Sequence, residues 1–589
     1  MITYIGVGQI IVFILLIILL VKPVGYYIAQ VYEGKNCGLN YIFGFVERLI
    51  YRLCRINHIY GMEWKEYLFS MLIFNLLGLL LAYVIQRTQG ILPLNPQNLP
   101  SISPILAFNT AVSYVTNTNW QAYSGETTMS YFTQMLALTT QNFLSAATGL
   151  CLLFALIRGI AGHESKSLGN FWVDMIRSVL YILLPLSLIF SLVFVSEGVI
   201  QNLKPNQKVN IVETLSYQIN NKTLSQTEQI IPMGPVASQI AIKQLGSNGG
   251  GYFNVNSSHP FENPTPLTNL LEILAMLVIP AALCYSFGIM VSDKRQGWAI
   301  FITMLIIFIP FLIAGTLAEQ IGNPAFTEMG IDQNAKYSTY PGGNMEGKET
   351  RFGIVGSTIW TASTTATSNG SNNSMFDSYT PIGGLVPLVL MHLGEVIFGG
   401  VGSGLSGMLM LVIITVFVAG LMVGRTPEYL GKKIEPFEMK MASLAVLVMP
   451  VIVLLTAAIA VVSKDGVDSI ANHGAHGFTE ILYAFTSLTN NNGSAFSGLN
   501  SNTPFYNLLG SLVMLIGRYW IAIPTLAIAG SLVRKKIVPK SSGTLTTHTP
   551  LFITLLIGVI IIIGALSFLP ACALGPVVEQ LMLMESYGH

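Results

Sequence analysis

The sequence predicts an all-α polytopic membrane protein. Ten transmembrane helices are expected; the middle eight form four channel-like helix–pore loop–helix repeats around one pore, with one extra helix at each end. Three observations carry this. Of 589 residues, 52% are hydrophobic and 10% charged, against about 25% charged in a soluble domain. Ten apolar runs approach the roughly 20 residues that a span requires. Four short Thr/Ser/Asn/Gly runs, Val115–Gln121, Leu245–Gly251, Thr361–Asn373 and Thr486–Ser494, fall between them. Taken at Asn119, Gly249, Gly370 and Gly493, their spacings are 130, 121 and 123 residues, the mark of an internal repeat.

The expected spans are Tyr4–Val21, Tyr67–Ile85, Tyr131–Ile157, Phe171–Val195, Leu267–Val291, Ala299–Leu317, Leu385–Met422, Met441–Val462, Asn507–Val533 and Leu551–Phe568. The first lacks a preceding basic run and a small-residue cleavage pattern, so it reads as a retained span. The seventh is too long for one straight helix and contains Gly399–Gly407, where a break is expected. The corresponding units are 1–66 (first span and cytoplasmic loop), 67–165, 166–296, 297–440 and 441–540 (repeats one to four) and 541–589 (last span).

Lys and Arg set the orientation. Lys35, Arg48, Arg52, Arg55 and Lys65, then Arg158 and Lys166, Lys294 and Arg295, Arg425, Lys432, Lys433 and Lys440, and Arg534, Lys535 and Lys536 all fall on one side of a ten-helix chain. That side is read as cytoplasmic. Both termini, and the loops Ser196–Pro235 and Glu319–Arg351, then lie outside. A net charge of +1 gives no polybasic surface for nucleic acid. The cysteines, Cys37, Cys54, Cys151, Cys284 and Cys572, show no metal-type spacing.

Each polar run follows a short helix-compatible segment: Ile105–Tyr114, Val236–Gln244, Ile354–Ala362 and Phe478–Phe485. None is long enough to span. Each is expected to dip in from outside and aim its C-terminal partial negative charge at the membrane centre. Irregular backbone is tolerated there only when buried in protein or lining a watery cavity. Four loops meeting on one axis meet that condition, and their carbonyls can replace the water around a cation. Gly249, Gly370 and Gly493 permit the positive-φ backbone this needs, and the neighbouring asparagines can brace it. The four loops differ, so one well-defined ion site fits better than a row of equivalent sites.

At these loops the chain resembles the KdpA family, the potassium-binding subunits of the bacterial potassium-transporting P-type ATPase, within the superfamily of potassium transporters. The motifs are TNTNWQAYSGE (Thr116–Glu126), GSNGGGYFNVNSSHPFENPTP (Gly246–Pro266), TTATSNGSNNSM (Thr364–Met375), GRTPEYLGKKIE (Gly424–Glu435) and TSLTNNNGSAF (Thr486–Phe496). The resemblance implies a bacterial cell-membrane protein that binds extracellular K+ in a selectivity filter. It would pass the ion through an intramembrane tunnel to a separate P-type ATPase subunit (KdpB). A single-span subunit with an extracellular domain (KdpC) and a small accessory peptide (KdpF) complete the implied assembly, in membrane lipid. The implied filter positions are Asn117, Thr118, Asn119 and Gln121; Ser247, Asn248 and Gly249; Ser368, Asn369 and Gly370; and Asn491, Asn492 and Gly493.

Other residues are weighed singly. Glu395 is a costly intramembrane carboxylate, read as a cation attractor below the third loop, near a tunnel entrance; pairing with a buried cation or amide is the alternative. His392 reads as structural. Gly399, Gly400, Gly402 and Gly404 form a candidate gate, or allow close packing. Arg425 and its basic neighbours mark topology, with a docking surface or a gate-setting contact for the ATPase partner as the alternative. Gly342–Glu349 mimics a phosphate loop, but Glu349 stands where Mg²⁺ needs Ser or Thr. His473 and His476 read as a surface loop, not a metal site. No Asp-Lys-Thr-Gly-Thr phosphorylation motif is present, so the chain is not by itself an ATPase and binds no nucleotide. The competing readings are a gradient-coupled cation transporter of the same superfamily and a membrane-embedded enzyme.

Overall fold

The structure is a computed structural model, and it describes residues 3–219, 222–334, 342–422, 424, 426–539 and 545–587. Among them are ten helices long and apolar enough to span: Tyr4–Tyr32, Trp64–Ile91, Thr133–Ala161, Phe171–Ser196, Pro266–Met290, Lys294–Glu328, Ser403–Met422, Pro436–Val462, Pro504–Leu532 and Pro550–Ser586. The chain is a multi-pass membrane protein.

Several spans begin with the same local device. Thr265, Thr380, Thr503 and Thr549 each precede a proline at the first helical position, and each hydroxyl accepts a backbone N–H from the first turn. Threonine satisfies a donor that the helix leaves open, and proline removes another while fixing φ. Burial then sorts the spans. In the fifth and third, 89% and 83% of the apolar window is buried. In the second, only 17% is buried, so its remaining apolar surface is suited to lipid. Small residues allow the central spans to touch. A Cβ on Gly25 would stand 2.5 Å from the Ala282 carbonyl oxygen, and one on Gly159 would stand 2.6 Å from Ala529 Cα.

The structure departs from the sequence reading in four places. The first helix passes through Lys22 and Pro23 to Tyr32, and an amphipathic helix, Asn40–Leu53, occupies the following loop. The outer loop 196–235 carries an antiparallel hairpin, Gln207–Ile219 with Lys222–Ile231, so the chain is not wholly helical. The break in the seventh span falls between Pro381–His392 and Ser403–Met422. It begins before the glycine run, because Gly394, Glu395 and Phe398 take positive φ, and Ser403–Gly407 are already helical. The last helix continues past Phe568, bends at Gly575 and Pro576, and ends as Val578–Tyr587.

Two polar anchors hold the periphery. On the side read as cytoplasmic, Arg158 Nη1 and Nη2 donate to the two Asp174 oxygens at 2.6 and 2.7 Å, and Tyr67 Oη donates to Asp174 at 2.9 Å. At the other end, His476 opens the fourth re-entrant helix (Gly474–Asn490). Its ring nitrogens meet Asp377 at 3.1 Å and Glu579 at 2.8 Å. The sequence reading found no third ligand near His476. The structure brings Asp377 and Glu480 beside it, with ligand atoms within 4.8 Å of one another, while both ring nitrogens already face carboxylates. Burial alone would lower the His476 pKa, but the bonds to Asp377 and Glu579 outweigh it and raise the value to about 10.

Two outcomes are expected. Arg158→Ala leaves Asp174 charged and buried, and lowers stability by about 3–5 kcal/mol; thermal unfolding of the detergent-solubilised protein measures it, with Asp174→Asn as the milder variant. The raised His476 pKa stabilises the fold fully below pH 6.5, and that contribution is lost as pH rises through about 10. Limited proteolysis of the C-terminal helix should therefore accelerate over that window, and His476→Gln should remove the pH dependence.

Candidate functional site

Four short helices end at the polar loops: Pro104–Val115, Val236–Leu245, Gly353–Ala366 and Gly474–Asn490. The last two run further than the sequence suggests. Thr361–Ala366 and Thr486–Asn490 are helical, and Thr365 and Thr489 hydroxyls bond back to carbonyls four residues earlier, which lets threonine persist in a buried helix. Each C-terminus delivers its partial negative charge to the loop that follows.

Within the loops, left-handed residues recur at alternate positions. Asn117 and Asn119, Ser247 and Gly249, Ser368 and Gly370, and Asn491 and Gly493 all have positive φ. Non-glycine residues seldom adopt this region, asparagine being the commonest exception. The loops meet in cyclic order. A Cβ on Gly249 would stand 1.7 Å from the Asn369 carbonyl oxygen, one on Gly370 2.0 Å from that of Asn492, and one on Gly493 2.0 Å from that of Thr118. Gly250 closes the circle, its Cβ position lying 3.2 Å from the Asn119 carbonyl oxygen.

Side chains lock every junction. Asn117 donates to the Ser247 carbonyl at 2.9 Å, Asn119 to Gly249 at 3.0 Å and Gln121 to Gly251 at 2.9 Å, a ladder with a constant offset of 130 residues. Asn369 donates to the Lys243 carbonyl at 3.3 Å and Asn492 to that of Thr364 at 3.1 Å. Ser368 donates to the Asn490 and Asn491 carbonyls, and Asn491 to Thr118 Oγ1, at 3.0–3.1 Å. Asn248 donates to Asn117 Oδ1 at 2.5 Å. All thirteen loop residues singled out from the sequence are thus joined in one ring. The carbonyls of Thr118, Asn248, Asn369 and Asn492 accept no hydrogen bond from any described residue.

Outside the ring lies a vestibule of about 1010 Å³, lined in part by Asn119, Gln121, Gly370, Asn372 and Gly493. On the inner side lies the break in the seventh span. Glu395 is buried, and its Oε1 accepts from Asn492 Nδ2 at 2.7 Å, so it contacts the fourth loop directly through an amide. A Cβ on Gly400 would stand 3.5 Å from the Thr367 carbonyl oxygen, beneath the third loop. Gly399 and Gly404 abut each other, a Cβ on Gly404 standing 2.2 Å from Gly399 Cα. Gly402 is pressed against the third span, 2.1 Å separating its Cβ position from the Gly149 carbonyl oxygen. Arg425 lies outside the described residues. His392 Nε2 faces Thr486 Oγ1 at 3.1 Å, and its ring stacks on Phe568 at 3.8 Å.

Sequence reasoning passed over Arg518 and Lys243. Arg518, on the ninth span, donates to the Ser145 carbonyl at 2.8 Å; a lone arginine inside an apolar run was the available signal. Lys243 is fully buried in the second re-entrant helix. Lys348, in the phosphate-loop mimic, pairs with Glu319 at 2.6 Å and sits 4.0 Å from the Tyr379 ring centroid.

The chain is similar throughout to known proteins. Relatives called potassium-transporting ATPase potassium-binding subunit include those of Herpetosiphon aurantiacus, 60% identical over 98% of this chain and 99% of the relative, and of Methylococcus capsulatus, 55% identical over the same shares. The crystal structure of the potassium transporter TrkH from Vibrio parahaemolyticus matches distantly, with a TM-score of 0.48, 14% identity and coverage of 77% of this chain and 83% of that one. Residues 11–581 match the family model described as KdpA, potassium-transporting ATPase A subunit. Together with the ring of loops, that match identifies the chain as a member of the KdpA family.

Proposed function

We propose that this chain is the potassium-binding and translocating subunit of an ATP-driven potassium import complex, and that it holds a dehydrated K+ among the loop carbonyls. The observation that carries the reading is that the carbonyls of Thr118, Asn369 and Asn492 stand at the loop junctions, against Gly493, Gly249 and Gly370, and, like that of Asn248, accept no hydrogen bond from a described residue. A buried carbonyl without a partner is costly, and a bare alkali ion supplies one. The filter is Asn117, Thr118, Asn119, Gln121, Ser247, Asn248, Gly249, Ser368, Asn369, Gly370, Asn491, Asn492 and Gly493. Four negative helix ends add to the attraction, while the unlike side chains make the site asymmetric, which suits capture at one site.

Below the filter, Glu395 draws the cation inward and the segment Gly399–Gly404 closes the direct path to the cytoplasm. A mostly apolar cavity of about 60 Å³, which Gly394 and Val396 before that segment and Gly407 after it help to line together with His392 and Asn490, fits the start of an intramembrane tunnel. The tunnel leads to a separate P-type ATPase subunit, KdpB, with KdpC and KdpF completing the complex. The setting is the bacterial cell membrane, with both termini extracytoplasmic, and the pore repeats are 67–165, 166–296, 297–440 and 441–540.

The test is potassium-stimulated ATPase activity of the co-expressed complex carrying Gly249→Ala, Gly370→Ala or Gly493→Ala. Each added methyl meets a neighbouring loop carbonyl, and the half-saturating potassium concentration should rise about tenfold or more, which is about 1.4 kcal/mol of binding per decade. Unchanged affinity and selectivity in all three variants would remove the filter assignment. Reconstituted uptake should require ATP and the partner subunits; uptake by the chain alone under an ion gradient would favour the gradient-coupled reading.

A further inference from the structure

A buried charge network lies behind the second loop. Lys243 Nζ donates to Glu262 Oε2 at 2.6 Å and to Ser257 Oγ at 3.0 Å, and reaches Asn256 Oδ1 at 3.4 Å. Glu262 Oε1 accepts from the Phe253 N–H at 2.8 Å. Glu272, on the fifth span, accepts at Oε2 from Gln244 Nε2 at 2.7 Å and from Ser257 Oγ at 2.8 Å. Gln244 Oε1 accepts in turn from Ser371 Oγ of the third loop at 3.1 Å. Lys243, Glu262 and Glu272 are fully buried.

The main chain of Lys243 gives this network its importance. Its carbonyl accepts from the Asn248 N–H at 2.9 Å, the Gly249 N–H at 3.4 Å and Asn369 Nδ2 at 3.3 Å. One oxygen therefore holds both the second and third loops. The corresponding carbonyls in the other repeats belong to Ser113, Thr364 and Ser487, which accept from Thr118, Asn369 and Asn492 N–H groups at 2.9 Å. Those three positions carry small hydroxyl side chains, and only the second repeat has a cation there.

A buried ion pair adds little net stability over apolar groups of equal volume, but breaking it is expensive. Its members are therefore held to one arrangement. We propose that Lys243 and Glu262 are positioning residues for cation discrimination. They clamp the last turn of the second re-entrant helix, and so set the gap between the second and third loops, where Gly249 meets the Asn369 carbonyl. This rests on the filter reading above. The charged side chains of the pair bond to neither the ring carbonyls nor their asparagine side chains, so the pair acts on selectivity through the Lys243 main chain, whose carbonyl holds the Asn369 amide.

The experiment uses the co-expressed complex and compares K+ with Rb+ and NH4+ as activators of ATP hydrolysis. The double variant Lys243→Met, Glu262→Leu replaces the pair with apolar groups. It should assemble and retain its maximal rate at saturating K+, while the K+ over NH4+ preference falls about tenfold, because a shift well below 1 Å suffices. Lys243→Arg keeps the charge pair but carries a wider head, and should lower the preference less while assembling normally; it decides the matter if the double variant does not assemble. Unchanged preference in the assembled double variant, or in Lys243→Arg where that variant is decisive, overturns the proposal. Gly370→Ala, at the junction of the third and fourth loops, separates the two readings. If it alters affinity while the Lys243 variants do not, only the positioning role fails; if neither it nor Gly249→Ala nor Gly493→Ala has an effect, the filter reading fails as well.

Discussion

Backbone that leaves the helix at membrane depth must find its hydrogen bonds inside the protein, and the loop ring is organised around that demand. In each loop one N–H, of Thr118, Asn248, Asn369 or Asn492, turns back to a carbonyl near the end of its own re-entrant helix, at Ser113, Lys243, Thr364 or Ser487. The asparagine and serine side chains then engage the adjoining loops, so each loop is held by its own helix and by a neighbour. This accounting leaves the carbonyls of Asn369, Asn492 and Thr118 uncommitted where the Cβ positions of Gly249, Gly370 and Gly493 collide with them. Asparagine is the favoured side chain here for two reasons: it tolerates left-handed backbone, and its amide both donates and accepts.

Much of this was legible in the sequence, because the signals are local. Apolar length reveals spans, and a polar Asn/Gly run between them reveals a loop that cannot face lipid. The break in the seventh span was also visible as excess length. Its position was read in part: Gly399–Gly402 lie within it, but glycine frequency marks permissive backbone, and the observed break starts earlier, at Gly394–Glu395, where the Asn492 amide offers a partner. The outer hairpin was missed although Val209, Ile211, Leu215, Tyr217 and Ile219 alternate with mostly polar residues, because the loop was read by its overall polarity and not by its period. The charge anchors were missed because they join distant segments: Lys348 to Glu319, and His476 to Asp377 and Glu579.

The anchors also make the repeats unlike. The second is braced by Lys243–Glu262, the third by Lys348–Glu319, and the fourth by His476 with two carboxylates. The first is braced by neutral amides: Gln89 donates to the Pro100 and Thr128 carbonyls and accepts from Ser130 N–H and Thr133 Oγ1. A homotetrameric pore repeats one solution four times. A single chain with four unlike repeats can brace each loop differently, and so fix each loop independently.

The break in the seventh span is tied to that same ring. Glu395 holds the fourth loop through Asn492, and Asn492 also donates to the Thr364 carbonyl behind the third loop. Gly400 packs beneath the third loop, and Gly402 is wedged against Gly149 of the third span. Close-packed contacts of this kind do not yield continuously; they shift together or not at all. Displacement of the unwound segment must therefore break the Glu395–Asn492 bond, leaving a buried carboxylate and a buried amide without partners, or carry the fourth loop with it. Both courses are costly, so the resting arrangement keeps the segment seated below the ring, and movement at one is felt at the other through a named hydrogen bond.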